Sequence, residues 1–157
     1  MHDAWSEEEV RFRFRFETLL RLRRQEEEMI RHELAQAMAE WEQLTEKITR
    51  ARLELKEEME RLKGNLLWAQ EVQDLGLGLD SRLANIENLE ETRRQLARKI
   101  EETRERLIEA SKRRKILERL RERDLLAFRK EQEALWQKEI DELVVLRHGR
   151  EEGHERV

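Results

Sequence analysis

Cysteine is absent from this chain of 157 residues. That excludes disulfides, thiolate metal sites and thiol nucleophiles. Proline is absent as well, so nothing of that kind interrupts a helix. Aromatic residues make up only 5% of the chain, while charged residues make up 45%. A compact domain of this length would bury far more apolar surface than such a composition offers. No apolar run approaches the roughly 20 residues that span a bilayer. The acidic segment Met1–Val10 lacks the apolar core of a secretory signal. The net charge of -4 supplies no global basic field for nucleic acid. These absences point to a cytoplasmic protein without direct membrane insertion and without nucleic acid as partner.

What the chain has in quantity is heptad-spaced apolar residues. Ile30, Leu34, Ala37, Trp41, Leu44, Ile48, Ala51 and Leu55 alternate steps of four and three, the a/d seam of a coiled coil. The seam then steps from Ala51 to Leu55 to Met59, a stutter that would relax the supercoil locally. A second run carries Leu83, Ile86, Leu89, Leu96, Ile100, Leu107, Ala110, Leu117, Leu125, Phe128 and Ile140. Between the runs lies Asp74-Leu75-Gly76-Leu77-Gly78-Leu79-Asp80, whose glycines suit a helix end and whose Asp80 or Ser81 suits a cap.

The pattern predicts an all-α fold, a long antiparallel two-helix coiled-coil hairpin, rod-shaped, forming a single domain over 1–157. The first helix covers about 7–74, the turn about 75–80, the second helix about 81–147, and a fraying tail 148–157. At 1.5 Å per residue each helix would be about 90 Å long. With the turn centred near Leu77, facing residues have numbers adding to roughly 155. That places Leu55 opposite Ile100, Ile48 opposite Leu107, Leu66 opposite Leu89 and Arg114 opposite Trp41. Phe12, Phe14 and Phe16 would then lie near Trp136, Ile140 and Leu143. Ser6 and Glu9 fit a capping box, so the alternating Arg11–Phe16 stretch is read as helix rather than strand.

Catalytic signals are missing. Gly76-Leu77-Gly78 lacks the third glycine of a phosphate loop, and no Walker pattern occurs. His2, His32, His148 and His154 have no metal-ligand spacing. Carboxylates abound, but a general acid or base needs shelter to shift its pKa, which a two-helix rod does not offer. No enzyme activity, cofactor or metal is expected.

One stretch stands out by charge. Between Lys112 and Arg123 there are seven cations against Glu118 and Glu122. Most of these belong to a solvated helix face, and Arg114 and Arg121 fall on the seam, where they can snorkel. A concentrated positive patch also steers acidic partners. Arg113, Arg114, Lys115, Arg119 and Arg123 are therefore candidate partner-binding residues. Trp68 joins them as a tryptophan between seam positions near the turn.

The two ends of the chain carry motifs. Phe12-Arg13-Phe14-Arg15-Phe16-Glu17-Thr18-Leu19-Leu20-Arg21-Leu22-Arg23 resembles the opening of the flagellar export protein FliJ family. Arg114-Lys115-Ile116-Leu117-Glu118-Arg119-Leu120, Phe128-Arg129-Lys130-Glu131-Gln132-Glu133 and Lys138-Glu139-Ile140-Asp141-Glu142-Leu143 resemble its C-terminal signature. The resemblance implies a rod like the central coiled coil of the rotary ATPase γ subunit. It also implies a soluble component of the bacterial flagellar type III export apparatus, monomeric when free and peripherally associated with the inner face of the cell membrane. Its implied partners are a FliI-like hexameric export ATPase, an FlhA-like membrane export gate protein and export chaperones. The alternatives are a structural coiled-coil spacer or self-assembling scaffold, and a coiled-coil arm that binds RNA or DNA through Lys112–Arg123.

Overall fold

The computed structural model describes residues 12–63 and 69–155. The fold is all-α. Helix α1 is Glu17–Lys63 and helix α2 is Ala69–Glu155, with no strand among the described residues. Leu, Glu, Arg, Ala, Lys and Gln dominate both helices, and these are the residues that lose least on entering a helix. Glu17 and Glu71 place acidic groups in the first turns, while Arg61 and Lys63 close α1, all favourable to the helix dipole.

The chain divides into two compact units, one formed by Gln25–Ser111 and the other by Met1–Arg24 with Lys112–Val157. In each unit the two helices run antiparallel. In the Gln25–Ser111 unit, Glu33 meets Arg106 at 2.9 Å, Glu58 meets Arg82 at 2.8 Å, and Arg52 bonds Glu90. In the other unit, Arg24 meets Glu118 at 3.4 Å, Arg121 meets Glu17 at 3.1 Å, and the Phe12 and Phe128 rings lie 5.5 Å apart.

In both units the numbers of facing residues add to about 140, not the roughly 155 expected for a turn at Leu77. The expected turn at 75–80 is continuous helix, since α1 already ends at Lys63 and α2 begins at Ala69. The two helices consequently differ in length, 47 residues against 87. Leu55 does not face Ile100, nor Ile48 Leu107. Trp41 is met by Arg93, whose guanidinium stands 5.9 Å from the ring centre, rather than by Arg114. Leu66 lies outside the described residues. The displacement is close to two heptads, so the apolar phase is unchanged while every pairing moves. Charge selects between these registers, because the observed one matches Glu58 with Arg82, Arg52 with Glu90 and Glu33 with Arg106.

The seam itself is regular. Leu20, Arg23, Glu27, Ile30, Leu34, Ala37, Trp41, Leu44, Ile48, Ala51, Leu55, Glu58 and Leu62 alternate steps of three and four, and apart from Trp41 they are buried or half-buried. The expected stutter at Met59 is absent. Met59 is 44% exposed and Glu58 occupies the seam. On α2 the matching series includes Ile86, Leu89, Arg93, Leu96, Ile100, Thr103, Leu107, Ala110, Arg114, Leu117, Arg121, Asp124 and Phe128. Thr103 Oγ1 donates to the Lys99 carbonyl at 2.7 Å, which satisfies its hydroxyl in the seam.

Both ends of the chain depart from expectation. Residues 12–14 are not helical, Arg15 and Phe16 form a turn, and α1 begins only at Glu17. The Glu17 N–H donates to the Phe14 carbonyl at 3.2 Å and the Leu20 N–H to the Phe16 carbonyl at 2.8 Å. The physical reason is the period-two spacing. A helix would point Phe12 and Phe14 to different sides, whereas the irregular segment buries Phe14 and stacks Phe12 on Phe128. Ser6 and Glu9, the expected cap, lie outside the described residues. At the other end, α2 continues past Gly149 to Glu155 instead of stopping near 147.

Candidate partner-binding surface

The basic stretch lies on α2 in the unit formed with Met1–Arg24, and the heptad frame sorts its residues. Arg114 and Arg121 occupy the seam and are engaged there. Arg114 Nη1 donates to Glu118 Oε2 at 2.7 Å, one helical turn away, and Arg24 reaches the other oxygen of Glu118 at 3.4 Å. Burial raises the Glu118 carboxyl, but the hydrogen bonds and charges of Arg114 and Arg24 outweigh it and hold the group below its ordinary range. Arg121 Nε donates to Glu17 Oε2 at 3.1 Å, and its guanidinium carbon stands 5.8 Å from the Phe12 ring centre.

The remaining cations face away. Arg113, Lys115, Arg119 and Arg123 are exposed. At 100° per residue, Lys112, Lys115, Ile116, Arg119, Arg123, Leu126 and Lys130 fall within one stripe on the side opposite the seam. Glu122, seven residues from Lys115, is the one acidic residue on this side between 112 and 130, while Glu118 lies on its flank. Ile116 and Leu126 are 64% and 57% exposed within it. A solvated helix face ordinarily mixes both signs of charge. This one sets five cations and two apolar side chains beside one carboxylate, which suits an acidic partner surface carrying apolar residues of its own.

Of the residues expected to bind partners, the structure thus brings Lys115, Arg119 and Arg123 onto one face and sets Arg113 off it, exposed beside the seam. Arg114 is turned to the seam, where it supports the fold. Trp68 lies outside the described residues. Sequence reasoning did not single out Ile116 and Leu126, although their off-seam positions signalled them. It also missed Glu17 and Glu118 as the partners that hold Arg121 and Arg114. Glu118 was visible as an i, i+4 partner, while Glu17 depends on the register.

No group of three or more His, Asp or Glu side chains could hold a metal among the described residues. His32 lies 3.4 Å from Gln36, and His148 lies 3.9 Å from Glu151, both as exposed neighbours on one helix. No described helix is long and apolar enough to cross a membrane.

The sequence model of the Flagellar FliJ protein family matches residues 12–153, nearly the whole chain. The chain belongs to the FliJ family. It is a protein of flagellar export, and the segments that suggested the family, from Phe12 to Leu143, all lie within the match. No curated protein and no solved structure matches the chain.

Proposed function

We propose that this FliJ-family chain is a non-enzymatic stalk and adaptor of the flagellar type III export apparatus. In this reading it binds the hexameric export ATPase, contacts the membrane export gate and escorts export chaperones, and it works at the inner face of the membrane through those partners. The observation that carries the reading is the family match over 12–153 together with the predominantly cationic face built from Lys115, Arg119 and Arg123. A cationic face on a stiff helix presents charge to a ring or groove without the cost of ordering a flexible loop. Long-range attraction also raises the encounter rate with an acidic surface.

The experiment is assembly and turnover of a cognate hexameric ATPase with and without the purified chain. The reading predicts faster hydrolysis and more hexamer, with no hydrolysis by the chain alone. Unchanged assembly and turnover across salt and protein concentrations would contradict it.

A further inference from the structure

Gly76 and Gly78 lie inside α2, yet nothing in the observed packing asks for glycine there. Neither has a positive φ, and a Cβ at either position would meet nothing within 4 Å. Glycine in a helix interior is disfavoured relative to alanine by about fivefold per residue. The same seven residues, Asp74–Asp80, have the composition of a reverse turn between helices.

A second observation concerns the far end of α2. Beyond Phe128, which faces Phe12, the helix continues to Glu155 with large apolar side chains in the open. Among them Leu135, which continues the Arg114, Arg121, Phe128 row of the seam, is 55% exposed. A third is the seam, whose steps of three and four stay in phase from Leu20 to Leu62 and from Ile86 to Phe128. A slip by two heptads therefore sets seam residue against seam residue again.

These three observations share one geometry, and it points to a second register of the hairpin, two heptads from the observed one, in which Asp74–Asp80 becomes the turn. Facing residues then add to about 154 instead of about 140. Leu55 comes opposite Ile100 and Ala51 opposite Thr103. At the open end, Leu20 advances from the region of Arg121 to Leu135. The residue that covers the exposed seam position Leu135 is thus Leu20 of α1. The two glycines change from a helix-weakening pair to the residues that allow the reversal.

The observed register predominates because it matches charge as well as phase. Glu58 faces Arg82 in it, and would face Leu96 after the slip. A ligand that binds the uncovered end of α2 holds the observed register by mass action, and one that prefers the glycine turn favours the other.

The absence of native cysteine makes the test direct. In the full chain, Ala37→Cys with Thr103→Cys should form an intramolecular disulfide in the observed register. Ala51→Cys with Thr103→Cys sets the thiols two heptads apart, roughly 21 Å along the helix, unless the register changes. The inference predicts that oxidation also yields the second disulfide in monomers, more slowly. Adding Gly76→Ala and Gly78→Ala should reduce its rate about twentyfold. Spin labels on the exposed positions, through Arg50→Cys and Glu105→Cys, read the same displacement without touching the seam. A second, shorter distance population is expected there, lost in the double alanine variant. Formation of the first disulfide alone, or a single distance population, would overturn the inference. So would a second disulfide indifferent to the glycine substitutions.

Discussion

Arg82 Nη1 of α2 lies 2.8 Å from Glu58 Oε2 of α1, a buried oxygen that accepts no well-aligned hydrogen bond among the described residues. The pair sits on the seam, between the apolar Leu55 and Leu62 of α1, so its attraction acts on the register as well as on stability. Arg82→Leu should cost about 1–2 kcal/mol in urea denaturation, because the Glu58 carboxylate is left half-buried without its counter-charge. The double variant Glu58→Leu with Arg82→Leu should recover most of that loss, since a matched apolar layer needs no charge. A double variant as unstable as the single one would show that the pair is not what holds this layer.

The N-terminal aromatic group should show graded dependence on burial. Phe14 is buried, whereas Phe16 is 36% exposed and packs edge-on to Phe14 with ring centres 5.9 Å apart. Phe14→Ala is expected to destabilise the unit by about 2–3 kcal/mol, and Phe16→Ala by less than half as much. Hydrogen exchange in the first turns of α1 should follow the same order. Equal effects would mean that the Phe12–Phe16 segment does not anchor the helix.

Acid should loosen the hairpin through two carboxylates. The hydrogen bond from Arg52 is the largest influence on Glu90 and lowers it, while Glu118 is lowered by Arg114 and Arg24 against burial. A carboxylate whose folded pKa lies below its unfolded value of about 4.3 stabilises the fold above that value, and the contribution is lost as pH falls through the folded pKa. Helicity followed by circular dichroism should therefore decline below about pH 4, and Glu118→Gln should flatten that decline while lowering stability at pH 7. An identical acid limb in the variant would remove Glu118 from this account.

How much of this was legible in the residues follows from what each signal carries. Heptad periodicity carries phase, so Leu20, Ala37, Ile48, Ile86, Ile100 and Ala110 are buried where a helical seam puts them. Phase repeats every seven residues, however, and cannot distinguish one register from another two heptads away. Turn chemistry favoured Gly76 and Gly78, while the cross-helix pairs Glu58–Arg82, Arg52–Glu90 and Glu33–Arg106 favour the observed reversal. Apolarity alone also chose Met59 over Glu58, because a charged seam residue is intelligible only once Arg82 is known to face it. The cationic face was visible as composition. Its separation from Arg114 and Arg121 required the seam to be followed without the supposed stutter.

The central claim is that the outer face of α2 around Lys115, Arg119 and Arg123 binds the export ATPase while the seam residues Arg114 and Arg121 hold the fold. Arg114 should therefore be left intact in the deciding variant. The direct measurement is the affinity of the ATPase for the chain carrying Lys115→Glu, Arg119→Glu and Arg123→Glu, across a salt series, with helicity monitored in parallel. The account predicts unchanged helicity, affinity lower by about tenfold or more at low salt, and a shallower salt dependence. Unaltered affinity in a fully helical variant would contradict it.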